Sequence, residues 1–154
     1  MANAASLNNE IRIMLMDCGL FSQLHPDDCG VAAGYFSIVS MEQGARIFSE
    51  GDAGTFMCII HYGNVSVSKT DAEGNQVEIA LLRKGRSFGE MAVLDGERRS
   101  ATCLAATDCQ LLSLGKDSLE KMMTEAPKVA AKLIRALAIA LSKRLRMADG
   151  QRLS

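Results

Sequence analysis

The sequence is poor in the residues and spacings that metal and redox chemistry need. It has two histidines, His25 and His61, and no H-x-H or H-E-x-x-H, so a metalloenzyme has few ligands to draw on. Five cysteines (Cys18, Cys29, Cys58, Cys103 and Cys109) are an odd number without a C-x-x-C. That argues against a disulfide framework or zinc knuckle and predicts small buried hydrophobes in a reducing cytosol. Long apolar runs are missing too. The longest, Ala136 to Leu141, is six residues, far short of the roughly 20 that span a bilayer. Met1-Ala2-Asn3-Ala4 lacks the basic lead and apolar block of a signal peptide, so the expected location is cytoplasmic. Nor does one sign of charge dominate: 17 basic against 18 acidic residues give a formal charge of -1. A wholly basic nucleic-acid binder and an acidic disordered tail are thereby disfavoured.

What is present is ordinary globular material, 48% hydrophobic and 23% charged, in a length of 154 residues that predicts one domain. Eight of the thirteen glycines fall between Gly44 and Gly96. Between and after them lie short β-rich runs: Thr55 to His61, Asn64 to Thr70, Gln76 to Arg83, Ala101 to Ala105 and Cys109 to Leu114. Val65-Ser66-Val67-Ser68 and Val77-Glu78-Ile79-Ala80-Leu81 alternate with period two, and Asp71 to Asn75 reads as a hairpin loop. Such spacing predicts a sandwich or barrel. Both ends read as helical. Leu7, Ile11, Met14, Leu15 and Cys18 share one helical face, with Gly19 as a stop. Asp117 and Glu120 resemble a capping box opening a short helix that stops before Pro127. Pro127 then opens a helix to about Ala148, with a heptad-like seam of Ile134, Ala138, Leu141, Leu145 and Ala148 and an adjoining stripe of Leu133 and Leu137. The seam serves either the domain's own core or a homodimer.

The segment with chemical potential runs from Gly85 to Thr102, where the β pattern breaks. Gly89 permits φ > 0 or a close backbone approach. Met91-Ala92-Val93-Leu94 can form a helical turn whose free N–H groups face an anion. Arg99, nine residues after Glu90, can supply bidentate charge to phosphate oxygens. A carboxylate beside a phosphate makes sense if the ligand also offers a hydroxyl donor, as a ribose does. Those groups together describe a sugar-phosphate pocket. The bland alternative is a surface ion pair of Glu90 with Arg99 closing a loop, worth about 0–1 kcal/mol.

Phe88-Gly89-Glu90-Met91-Ala92 followed by Arg99-Ser100-Ala101-Thr102 resembles the phosphate-binding cassette of the cyclic-nucleotide-binding domain family. That family includes bacterial catabolite activator proteins, regulatory subunits of cyclic-AMP-dependent protein kinase and cyclic-nucleotide-gated channels. Gly44 to Asp52 is similar to its early strand-and-turn signature, and the bacterial channel members look closest across the cassette. The resemblance implies a mainly β fold, an antiparallel β-roll (jelly-roll-like barrel) with an N-terminal helix and two C-terminal helices. One domain would span 1–154: a helical segment 1–30, a roll 35–115 with its cassette at 85–102, and C-terminal helices 116–149. It also implies that Arg99 pairs with the cyclic phosphate and Glu90 accepts from the ribose 2′-hydroxyl. The amides of Gly89, Glu90, Met91 and Ala92 would close around both, with Ser100 and Ala101 beside phosphate and base. Ala80 and Phe88 would line the base pocket. On the last helix, Leu133 and Leu137 would cover the base and Lys132 or Arg135 would offer a polar contact. Val93 and Arg98 depart modestly from the family pattern, Arg98 adding positive potential.

The implied function is a non-catalytic, stand-alone receptor for cyclic AMP, or else cyclic GMP, whose terminal helix signals to an effector protein or a second copy. Only Gly150 to Ser154 follow Asp149, which leaves no helix-turn-helix to enter DNA. A cupin-like enzyme is disfavoured by the isolated histidines. A DNA-associated regulator would use Lys143, Arg144 and Arg146, which also read as a solvated basic face. The near-zero charge hides a division: residues 1–115 carry 8 basic and 14 acidic side chains, residues 116–154 carry 9 and 4. The terminal helices thus suit an acidic partner.

Overall fold

The computed structural model describes residues 4–153, with side chains from 4 to 150. The leader reading therefore falls mostly outside the described residues, as does Ser154. Three helical pieces precede the strands: α1 (Ala4–Met16), a single 3-10 turn at Gly19–Phe21, and α2 (Pro26–Ala33). On α1 the predicted face holds for Ile11, Met14 and Leu15, all buried, and Cys18 just beyond the helix is buried as well, whereas Leu7 is exposed. His25 caps α2: its Nδ1 accepts from the Asp27 amide, while Asp28 accepts from the His25 amide.

The strands are β1 (Ser37–Met41), β2 (Arg46–Phe48), β3 (Phe56–Tyr62), β4 (Val65–Thr70), β5 (Gln76–Leu82), β6 (Ser87–Phe88), β7 (Thr102–Ala105) and β8 (Cys109–Gly115). They form two four-stranded sheets, ordered β1-β8-β3-β6 and β2-β7-β4-β5, with antiparallel pairings throughout. The result is a β-roll of two separate sheets, not a closed barrel. The β4–β5 hairpin turns where expected, with Asp71 Oδ1 accepting from the Glu73 and Asn75 amides and Gly74 at φ 86°.

Alternation places two cores on opposite faces of the same strands. Met57 and Ile59 of β3, with Leu112 and Leu114 of β8, face a core under the helices. Cys58 and Ile60, with Cys109 and Leu111, face the roll's interior with Phe48, Val65, Leu82, Phe88, Cys103 and Ala105. β5 alternates as its sequence predicts, yet Val77, Ile79 and Leu81 point outward and are exposed, while Leu82 is buried. β5 is an edge strand, paired only with β4.

After β8 come α4 (Lys116–Glu125) and α5 (Pro127–Leu153). The capping box does not form. Gly115 is the N-cap with no side-chain cap, and Asp117 lies in the first turn, where its charge suits the helix N-terminus. The last helix runs past the expected Ala148. Its first half is nailed down by Val129, Ala130, Leu133 and Leu137. Its second half presents the seam outward: Ala138, Leu145 and Ala148 are exposed, and Leu141 is half-buried.

Candidate functional site

Between β6 and β7 the chain leaves the roll and forms α3 (Glu90–Asp95), capped at both ends by left-handed glycines, Gly89 (φ 77°) and Gly96 (φ 75°). Space is as tight as the dihedral. A Cβ on Gly89 would lie 2.7 Å from Arg99 Nη1 and 3.1 Å from the Phe48 ring. Gly54 is needed from the other side, since a Cβ there would stand 2.1 Å from that of Ala92. Its loop carries the Ala53–Arg98 bridge and the backbone bonds that hold Arg99: Arg99 N–H to Asp52 O (2.8 Å) and Gly51 N–H to Arg99 O (2.8 Å).

Arg99 is 3% exposed. Its Nη1 donates to Gly89 O at 2.8 Å and Nη2 donates to Phe56 O. The guanidinium lies over Phe48, 3.9 Å from the ring centre, and 4.9 Å from that of Phe56. Among the described residues no carboxylate forms an ion pair with it. The surface Glu90–Arg99 pair is therefore not what the structure builds. Burial pushes the Arg99 pKa down, and pushes the thiols of neighbouring Cys58 and Cys103 up to about 12. A buried cation whose charge is met only by carbonyls and ring faces favours an anion.

Glu90 is as deeply buried, 2% exposed. Its partner is Arg144 of α5, whose Nη2 donates to Glu90 Oε1 and, at 3.3 Å, to Ser87 Oγ. Arg144 and Glu90 raise and lower the local potential beside Arg86, whose pKa is lowered chiefly by burial and then by Arg144.

These groups line one cavity of about 300 Å³, within the usual range for small-molecule sites. It brings together Gly89, Glu90, Met91, Ala92, Arg99, Ser100 and Ala101, together with Ala80 and Phe88. Five basic side chains (Lys69, Arg86, Arg98, Arg99, Arg144) outnumber three acidic ones (Glu90, Asp95, Glu97) on its walls, so the site favours a negative ligand. Among the described residues, the buried side-chain nitrogens without a hydrogen-bond partner are Nε of Arg99 and Nε of Arg144. Both belong to this cavity, which thus has unmet donors for an acceptor-rich ligand. No group of three or more His, Cys, Asp or Glu among the described residues is placed to hold a metal.

The helix residues expected at the base lie elsewhere. Leu133 and Leu137 are fully buried in the core under the helices. Lys132 Nζ pairs with Asp28 at 2.8 Å, and Arg135 lines a separate groove between α5 and the 3-10 turn. The residue of α5 that reaches the cavity is Arg144, whose place beside Lys143 and Arg146 in the sequence reads as a solvated basic face. One signal for it exists: the stripe of Leu133 and Leu137, continued at helical spacing, arrives at position 144, where an arginine interrupts it.

Comparison with known proteins gives the family and the fold. The model of the cyclic nucleotide-binding domain matches residues 38–126. The cyclic AMP receptor protein of Thermus thermophilus is 36% identical over 130 residues, covering 84% of this chain and 58% of its own length. The cAMP-dependent protein kinase regulatory subunit of Aspergillus niger is 28% identical over 109 residues, covering 71% of this chain and 26% of its own. A crystallised cyclic nucleotide-binding domain from Methylobacillus flagellatus superposes with a TM-score of 0.84 at 25% identity, covering 99% of this chain and 86% of that one. Against the curated relatives, then, the chain spans little more than half of one and about a quarter of the other. Among the described residues no helix is long and apolar enough to cross a membrane.

Proposed function

The chain belongs to the cyclic nucleotide-binding domain family, and from that premise we propose that it is a cyclic AMP receptor module that signals through α5. The observation that carries this reading is the buried Arg99, without a carboxylate partner, in one cavity with buried Glu90. Arg99 meets the cyclic phosphate; its free Nε and the amides of Gly89, Glu90, Met91 and Ala92 supply donors. Glu90 accepts from the ribose 2′-hydroxyl. Ser100 and Ala101 flank the phosphate, and Ala80 with Phe88 walls the base. The name of the Thermus relative, a cyclic AMP receptor protein at 36% identity, supports cyclic AMP as the ligand. Binding is read as regulation, in keeping with the names of a cyclic AMP receptor protein and a kinase regulatory subunit among the relatives.

The signal leaves through the exposed half of α5, where Leu145 and Met147 are 64% and 66% exposed beside Lys143 and Arg146. An acidic effector protein or a second copy of the chain reads that surface. A ligand moves such a helix only by its differential affinity for two helix positions.

Thermal unfolding with each nucleotide tests the reading. At a free concentration 100 times its dissociation constant, cyclic AMP is expected to stabilise the wild type by about 2.7 kcal/mol. Arg99→Ala should gain less than about 1 kcal/mol at that concentration, and cyclic GMP should stabilise the wild type less. An unchanged melting temperature with both nucleotides would reject the assignment.

A further inference from the structure

We infer that the groove between α5 and the 3-10 turn is a second binding site, which takes an acidic amphipathic helix of a partner protein. Its volume is about 520 Å³, larger than that of the nucleotide cavity, and the two share no lining residue. The floor is apolar. Leu20 and Leu24 come from the 3-10 turn and the loop after it, and Ala136, Ile139 and Ala140 come from α5. Phe21 of the same turn is buried in the core, while its neighbour Leu20 stays half-buried at the groove. Ile139 is 42% exposed.

On α5 the groove residues recur at helical spacing, at positions 132, 136, 139 and 143, and form one stripe along the axis. That stripe lies roughly half a turn from the seam of Ile134, Ala138, Leu141 and Leu145. The groove is therefore a different surface from the seam. Ala136 and Ala140 sit four residues apart on its floor, and short side chains at a contact let a second helix approach closely. An amphipathic helix lays its apolar face into such a groove through residues three and four apart.

Charge selects the partner. The ionisable side chains lining the groove are Lys132, Arg135 and Lys143, with no carboxylate among them. Asp28 matches Lys132 at 2.8 Å, whereas among the described residues Arg135 and Lys143 form no ion pair. Lys132 and Lys143 stand eleven residues apart in sequence, about 16 Å along the axis. Cations spread over three turns suit a row of carboxylates better than the single head group of a fatty acid. The apolar floor between them suits leucine-like side chains, which nucleic acid lacks. The stems of the lysines and the arginine extend that floor while their charges stay in water.

The test titrates the full chain into a labelled four-turn peptide and follows fluorescence anisotropy. The peptide carries leucines three and four apart on one face and glutamates beside them. It should bind saturably, while the same residues in scrambled order, and a version with lysine for glutamate, should not. Arg135→Glu with Lys143→Glu should weaken binding roughly tenfold or more, since like charges then meet across the groove. Both side chains are exposed, so thermal unfolding should show a folded protein; Arg135→Gln with Lys143→Gln, a milder change, should weaken binding by less. Absence of saturable binding, or equal binding of the scrambled peptide, would overturn the proposal. Uptake onto phosphatidylglycerol vesicles without peptide binding would also overturn it, assigning the face to an anionic membrane surface. So would a dimer in sedimentation that the double substitution dissociates while the peptide does not bind.

Discussion

Gly89 concentrates the demands of the site in one residue. Its φ of 77° turns the chain from β6 into α3, its carbonyl accepts from Arg99, and its missing Cβ leaves room for that guanidinium. Gly89→Ala is expected to cost about 1–2 kcal/mol for the left-handed backbone alone. The methyl group, 2.7 Å from Arg99 Nη1, would also displace the arginine. Urea unfolding and nucleotide titration should therefore both report losses; an unchanged midpoint and affinity would mean that the close approach is unimportant. The residues of the cassette were legible in the sequence because they are contiguous: positions 88–92 and 99–102 carry the glycine, carboxylate and arginine together. Arg144 and Gly54 were not. Arg144 stands 54 residues from Glu90, within a run of charges that reads as solvated. Gly54 matters only because folding brings Ala92 against it.

At the scale of elements, α5 divides into an anchored half and an exposed half, and the division decides what its leucines do. Leu133 and Leu137, without exposed surface, pack with Leu15, Phe21, Leu119 and Met122 in the core under the helices. Truncating either to alanine should cost roughly 2–5 kcal/mol of stability. The affinity of the folded fraction for cyclic AMP should stay near the wild-type value. Chemical denaturation paired with calorimetry distinguishes this from a lid over the base, which would lose affinity and keep stability. Strand periodicity located β3, β4, β5, β7 and β8 to within a residue or so, because each alternates or runs apolar between turns. β6 went unread as a strand for a simple reason. It has two residues, too few to show a period. The outward Val77, Ile79 and Leu81 show a further limit, since alternation identifies a strand without saying which face is buried.

Across the whole molecule, the roll carries the negative balance and the terminal helices the positive one. Among the described residues, the ion pair of buried Glu90 with half-buried Arg144 joins those two parts. In the proposed function, the roll supplies the pocket and the terminal helices supply the surface that signals. Both functions depend on Arg99 receiving an anion, a claim that calorimetric titration of wild type and Arg99→Ala with cyclic AMP tests most directly. Loss of a buried charge-assisted phosphate contact is expected to weaken binding by roughly 2–5 kcal/mol. Equal affinity in the two proteins would contradict the assignment of this cavity as the nucleotide site.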